Sequence, residues 1–488
     1  IGDYAFYGAD ALKLDVLYLT TDYEGKNVSE DPTRSLPEGL TTIGQSAFQN
    51  ATAVTVVRFP STITTISRNA FVGTELKFVV TSSDYITLGV DVFKGAADAF
   101  RVFVPNVLTY SGMGWESLSG RIFDKDDISG DWAYTTQSGS NLITVVQYLG
   151  NDSEVTVSDT LDGKSVAAIG DNAFGRGVTK VTFCSGTLIT DRTFAAAKDL
   201  REIAIVRTGD FYAENGAALV SAFQSGLTGL DTLGFIDPDR PVSSILDGLT
   251  LPNTVRIVKI ENTGTNLAEI PEGFLSGATA VTEVILSGEM ITGIGDNAFR
   301  GMTALEKVRF KGVTGLTAIG VSAFDGDRAL SAMITDDVAG LPESLTEIGD
   351  GAFNGVPWIN EFASNGFTVL GKGILYDYAG SDEIVRVPGE ITSVSPGAFS
   401  GLPSIQTVIL TADGEVNIAE SAFSGMPQLE AVYIIGSANI AEGAFLDSSK
   451  FVALVVKGSL QIADGALRGT LYENESVGDT GLNIYTEG

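Results

Sequence analysis

Short stretches with alternating apolar and polar residues recur along this chain, each followed by a second, shorter apolar stretch. Ala304-Leu-Glu-Lys-Val-Arg-Phe310 is one of them. Strand side chains alternate between faces, so Leu305, Val308 and Phe310 are predicted to point inward and Lys307 and Arg309 outward. Leu200-Arg-Glu-Ile-Ala-Ile205, Val281-Thr-Glu-Val-Ile-Leu286, Ile405-Gln-Thr-Val-Ile-Leu410 and Leu429-Glu-Ala-Val-Tyr-Ile434 follow the same pattern. Leu316-Thr-Ala-Ile319 exemplifies the second stretch. A tight turn or single helical turn carrying an Ala-Phe pair is predicted next.

That turn is part of a repeated hexapeptide. Ile1 to Phe6, Ile43 to Phe48, Ile66 to Phe71, Ile169 to Phe174, Ile294 to Phe299, Ile319 to Phe324 and Ile348 to Phe353 are near copies. Val394 to Phe399, Ile418 to Phe423 and Ile440 to Phe445 continue the series, and looser copies end at Phe93, Phe194, Phe223 and Phe274. Successive copies are often 22 to 25 residues apart, as from Phe48 to Phe71 or from Phe423 to Phe445. A period in the twenties predicts a solenoid of the leucine-rich class. One coil offers too few apolar side chains to offset its own ordering, at ~1–2 kcal/mol per residue for the backbone alone. Neighbours must therefore stack on it. The phenylalanines are predicted to form an internal ladder. Glycines two residues beyond them, such as Gly301, Gly326 and Gly425, suit a left-handed residue that ends the turn.

The repeat resembles the BspA-like leucine-rich repeat family, with units close to L-x-x-V-x-I-P followed by I-G-x-x-A-F-x-G. The resemblance spans Ile1 to about Gly469. It implies an α/β, β-rich repeat solenoid: a right-handed leucine-rich-repeat coil of 22–25-residue units with short strands and single helical turns. Arg101-Val-Phe-Val-Pro105 with Tyr110 and Trp115 is similar to a unit that closes an array. Gly130-Asp-Trp-Ala-Tyr134 through Tyr148-Leu-Gly150 and on to Val166 is similar to an opening β-hairpin segment (about 130–166). The implied organisation is two arrays, 1–124 and 128–488; a single solenoid interrupted by a hairpin is the alternative. Residues 20–35 depart from the pattern as an insertion rich in charge and turn formers, and the stretch from Phe223 to Phe274 contains a unit without a clear Ala-Phe. The resemblance further implies a secreted or surface protein of a host-associated microbe that attaches to host matrix, host cells or other microbes.

Composition narrows the chemistry. The formal charge is −31, which disfavours nucleic acid and anionic lipid as partners. There is no histidine, so Ser-His and Cys-His pairs and the commonest zinc ligand are excluded. The single cysteine, Cys184, cannot form an internal disulfide and is read as a packed or edge thiol. Gly366 to Lys372 fits G-x-x-x-x-G-K, but Gly373 replaces the magnesium-binding hydroxyl and the flanks read as a hairpin. Asp124, Asp126 and Asp127, or Asp237 and Asp239, offer calcium-type oxygen donors, yet neither group has the Asp-x-Asp-x-Asp-Gly loop. Both are read as solvated charge; no cofactor and no metal is expected. Asn-x-Ser/Thr triplets at Asn27, Asn50, Asn151 and Asn474 matter only in a eukaryotic secretory pathway. No apolar run reaches the length of a membrane span, and no leader pattern precedes Phe6.

The expected function is a non-enzymatic extracellular or cell-surface interaction scaffold. Its partner would be a host or microbial surface protein, or a glycan. Two alternatives stand beside it: a structural stalk carrying a further terminal domain, and a glycan hydrolase with paired carboxylates about 5–10 Å apart. The candidate binding residues are the outward positions of the long strands in the C-terminal half: Ile285, Arg309, Ile334, Arg386, Ile409, Tyr433 and Val455. Strands in a sheet lie about 4.8 Å apart, so these residues are expected to form one row. Earlier coils have Arg58, Thr182, Ala204 and Gly234 at this position.

Overall fold

A computed structural model of the chain describes residues 1–10, 36, 39–97, 100–125, 128–137, 139–207, 213–238, 250–263, 269–471 and 483–486. The 20–35 insertion, Asp126, Asp127, Asp239, Asn27 and Asn474 lie outside the described residues. The chain divides into two compact units, one of Ile1–Arg201 with Thr208–Leu230 and one of Glu202–Arg207 with Asp231–Gly488.

Each coil contributes three strips that hydrogen-bond to the same strips of its neighbours. The first is the long strand. Glu283–Ser287 pairs in parallel with Ile257–Glu261 on one side and Lys307–Lys311 on the other. Its Val284 and Leu286 are fully buried while Ile285 is half-buried, as the alternation requires. The second is the short strand, as in Gly293–Ile294 beside Ala318–Ile319. The third is the turn itself. Asn297, Phe299 and Gly301 N–H groups donate to the Val321, Ala323 and Asp325 carbonyls, and Ser322, Phe324 and Gly326 repeat this onto Asp350, Ala352 and Asn354. A tight turn that would leave amides unpaired in isolation is thereby satisfied by the next coil.

The hexapeptide explains this geometry residue by residue. In Ile319-Gly-Val-Ser-Ala-Phe324, a Cβ on Gly320 would lie 2.6 Å from the Asp296 nitrogen of the preceding coil. At this coil the backbones come so close that a glycine is needed. The residue before Ala-Phe sits in the left-handed region, with φ of +55° at Asn297, +53° at Ser322 and +59° at Ser421. Asparagine tolerates that region better than most residues, and glycine occupies it freely at Gly351 and Gly443. The phenylalanines then stack: Phe299 on Phe324 at 5.2 Å, Phe324 on Phe353 at 5.4 Å, Phe399 on Phe423 at 5.1 Å and Phe423 on Phe445 at 5.2 Å. The predicted ladder is present and buried.

In the first unit the long strands Val56–Phe59, Phe78–Thr81, Arg101–Val104 and Ile122–Asp124 form a parallel sheet. Phe6, Phe48, Phe71 and Phe93 stack beside it. Trp115 closes the stack from the single turn Trp115–Leu118, its Nε1 donating to the Ile86 carbonyl at 2.6 Å. A separate sheet begins at Ile128–Ser129 and contains the antiparallel pair Trp132–Thr136 and Leu142–Tyr148. This hairpin packs Ala133, Val146 and Leu149 against Phe78 and Phe103 on the outward face of the first sheet. The Arg101 guanidinium adds a hydrogen bond to the Asp171 carbonyl. Most turns are not helical. The helix Ala213–Gln224 replaces one of them, burying Phe223 and using Asn215 to bridge the Thr187 carbonyl and the Ile189 amide at 2.8 Å each.

In the second unit the long strands run from Glu202–Val206 to Ala332–Thr335, where the antiparallel Val338–Ala339 ends the sheet. Trp358 in the turn Pro357–Phe362 lies 5.7 Å from Phe353 and repeats the Trp115 closure. A second hairpin follows, Phe367–Leu370 with Ile374–Tyr378. It carries Gly366 to Lys372, so the phosphate-loop near match is a hairpin, as its flanks indicate. It matches the first hairpin closely. Tyr148 donates through its hydroxyl to Asp152 and through its amide to the Ala173 carbonyl; Tyr378 does the same to Asp382 and Ala398. The parallel strands Ile384–Glu390, Thr407–Ile418, Ala431–Ile440, Ala453–Val456 and Asn483–Thr486 complete the unit.

Candidate macromolecule-binding face

The seven sequence-predicted residues occupy outward positions of long strands, but they do not form one row. Ile285, Arg309 and Ile334 are direct neighbours in one sheet. Arg386, Ile409, Tyr433 and Val455 are direct neighbours in another. The break arises because the chain after Ile334 folds back through Val338–Ala339, and the next long strand starts only after the second hairpin. Strand spacing alone gave no sign of this.

The two rows differ in chemistry. In the first, Arg309 Nε donates to Glu283 Oε1 at 2.6 Å and its guanidinium lies 3.8 Å from Asp337. Lys259, one strand before Ile285, pairs with Glu202. Charges on this face are partnered within the sheet, and Ile285 and Ile334 are half-buried between them. The second row is more open. Tyr433 is 40% exposed and Arg386 is exposed, with Ile409 and Val455 half-buried alongside. Two residues outside the sequence-predicted row enlarge it. Ile384 is 58% exposed and Ile435 is 46% exposed. Each lies two positions from the row on the same strand, so the i±2 periodicity that located Arg386 and Tyr433 also reaches them. An outward band of Ile384, Ile409, Tyr433, Ile435 and Val455 results, with the Thr407 and Thr411 hydroxyls between.

The corresponding face of the first unit is occupied. Phe78 and Phe103 point outward but are buried under the first hairpin, and the Arg58 guanidinium lies 5.7 Å from the Phe78 ring centre. Thr182 is buried as well, and so is Ala204 at the start of the second unit. Of the candidate calcium donors, the two within the described residues serve the backbone: Asp124 Oδ1 accepts from the Val107 amide and Asp237 Oδ1 from the Thr263 amide, both at 2.8 Å. Among the described residues no group of three or more acidic or cysteine side chains is placed to hold a metal ion. Cys184 is buried. Among the described residues no helix is long and apolar enough to cross a membrane.

The repeat itself decides the kinship. A family model for the BspA type leucine rich repeat region, in six copies, matches residues 24–114, 249–331 and 337–452. The chain belongs to the BspA type leucine-rich repeat family. Within this BspA type chain the residues between 115 and 248 fall outside the match, and they include the first hairpin and the helix Ala213–Gln224. No curated protein matches the sequence. Solved structures do. A leucine rich cell surface protein from Faecalibacterium prausnitzii is 17% identical, with 74% of this chain and 94% of that one covered, at a TM-score of 0.25. A leucine-rich repeat protein from Bacteroides ovatus is 15% identical, with 72% and 93% covered, at 0.25. The T. pallidum leucine rich repeat protein is 19% identical, with 47% and 87% covered, at 0.19. Global superposition is poor in each case, so the family assignment rests on the repeat.

Proposed function

We propose that this BspA type chain is a non-enzymatic scaffold, extracellular or at a cell surface, that binds another macromolecule through the outward face of its C-terminal strands. The observation that carries the reading is the exposed pair Tyr433 and Ile435 on one strand, with half-buried Ile409 beside Tyr433 on the next strand and exposed Ile384 one strand further on. Contiguous exposed apolar surface with aromatic and arginine members resembles an interface composition. Attachment to a host matrix protein, a host cell or another microbe is the role that family resemblance favours, with a protein partner ahead of a glycan.

The test starts from a binding screen against matrix proteins and glycans. Ile409→Asp combined with Tyr433→Asp places two charges in the centre of the band. Affinity for the partner is expected to fall about a hundredfold, since central aromatic positions dominate interfaces. The melting temperature should change little, because neither side chain is in the core. Full affinity in a folded double variant overturns the assignment.

We also propose that the first array ends near residue 124 and the next begins near 128. Limited proteolysis is expected to cut first between residues 120 and 130, where charge and glycine interrupt the apolar pattern. The products should separate on a denaturing gel yet elute together from a sizing column, because Ala133, Val146 and Leu149 stay packed on Phe78 and Phe103. A first cut elsewhere refutes the boundary.

A further inference from the structure

A second surface feature lies on the short-strand side of the second unit, away from the exposed band. It is a shallow groove of about 440 Å³. Its floor follows the position after the short-strand Ile or Val, through Gly320, Gly349, Ser395 and Ala419. The floor is low because the coils need it so: a Cβ on Gly349 would lie 2.6 Å from the Val321 nitrogen. Along one wall run Ser393, Asn417 and Asn439, direct neighbours in consecutive strands. The Asn439 amide donates to Asn417 Oδ1 at 3.3 Å, so the row presents an ordered line of amides. Asp296, Glu347 and Glu420 stand exposed at the rim. Among the described residues, none that lines the groove is basic.

Ser395 sets this groove apart from an ordinary small-residue floor. It is 1% exposed and its Oγ has no hydrogen-bond partner. Buried hydroxyls rarely remain unpaired in native proteins, and an orphan lining a groove is open to a water or a ligand atom. Three carboxylates without a basic neighbour favour a cation. Asparagine amides and serine hydroxyls both donate and accept, as a peptide backbone does, whereas a polyamine only donates. Coils stack about 4.8 Å apart and an extended chain rises about 3.3 Å per residue, so roughly eight residues cover the groove from Asp296 to Asn439.

We propose that this groove binds an extended, lysine- or arginine-rich peptide segment. Its side chains pair with Asp296, Glu347 and Glu420, and its backbone meets Asn417, Asn439 and Ser395. The experiment uses the full chain and a fluorescein-labelled (Lys-Ser)₄ peptide, followed by anisotropy. A protein with charge −31 attracts cations everywhere, so the variants must separate the groove from overall charge. Asp296→Asn with Glu347→Gln and Glu420→Gln removes three rim charges. Asp10→Asn with Glu75→Gln and Glu116→Gln removes three exposed charges elsewhere. The rim variant is expected to weaken binding about tenfold and the control less than about twofold, since distant exposed charges are screened. Ser395→Ala is expected to weaken it about threefold, and spermine to compete poorly, because neither retains the backbone-type hydrogen bond. All substitutions at the rim are exposed, and thermal melts confirm that they fold. Equal losses in the two triple variants, no binding of the cationic peptide, or displacement by spermine at the peptide's own concentration overturns the proposal.

Discussion

Phe324→Ala is expected to destabilise the second unit by ~3–5 kcal/mol, the usual range for truncating a buried aromatic. Phe324 is fully buried and sits between two stacked partners, Phe299 at 5.2 Å and Phe353 at 5.4 Å. The substitution removes both ring contacts and leaves a cavity that the coils cannot close, because the turn on either side is pinned by its hydrogen bonds to the next. In a stacked array each coil depends on its neighbours, so the loss should spread. Urea melts measure its size, and amide exchange should show protection lost from about 294 to 356 before the Phe399 to Phe445 stack is affected. A cost below about 1 kcal/mol contradicts the ladder as a source of stability.

The second large effect is set by pH. Asp327 is fully buried in the same stack, three residues beyond Phe324, and one carboxyl oxygen accepts from the Met302 amide at 2.7 Å while the other has no partner. Burial pushes its pKa up from 3.8 to about 8, with the Met302 and Gly301 amides opposing the rise and Asp325 adding to it. The folded chain therefore keeps a proton that the unfolded chain has lost. The contribution of Asp327 to stability is full below about pH 4, declines as pH rises towards about 8, and is level above that. One pKa unit corresponds to about 1.4 kcal/mol, and allowing for relaxation around the charge the decline should be about 2–4 kcal/mol. Asp327→Asn keeps an acceptor for Met302 and cannot ionise. It should match the parent near pH 4.5 and exceed it at pH 8. Ser448 already fills this place in the later stack, accepting from Met426 and donating to the Phe423 carbonyl. Denaturant melts of both proteins across this range provide the check, and parallel curves would exclude Asp327 as the cause.

The periodic features of the fold were legible because they repeat. The inward alternation, the Ala-Phe ladder and the left-handed glycines of the turns each recur with the coil and are supported by every copy. The residue before Ala-Phe carries a signal too: Asn, Ser and Gly recur there because the backbone demands φ above +50°. What escaped were features that occur twice at most. The flanks of Gly366 to Lys372 already read as a hairpin, but that it follows a closing Trp358 and opens a new sheet was not legible, since only Tyr-x-Gly-x-Asp, at Tyr148 and Tyr378, links it to the first hairpin in sequence. Without that link the binding row was drawn straight across a sheet boundary. Ser395 was invisible for another reason: a serine in a position that accepts Gly, Ala or Ser carries no signal until its hydroxyl is seen to be unpaired.

The closing tryptophans stand only at stack ends, whereas interior coils make the same three strips of hydrogen bonds on both sides. Duplication of an interior coil in the gene would therefore place the newcomer between neighbours that already suit it, and deletion would rejoin two that suit each other. Stack length becomes a quantity that recombination adjusts in steps of about 4.8 Å. The exposed band and the acidic groove, each crossing several coils, would lengthen or shorten with it, so one genetic event rescales both surfaces while leaving the ends intact.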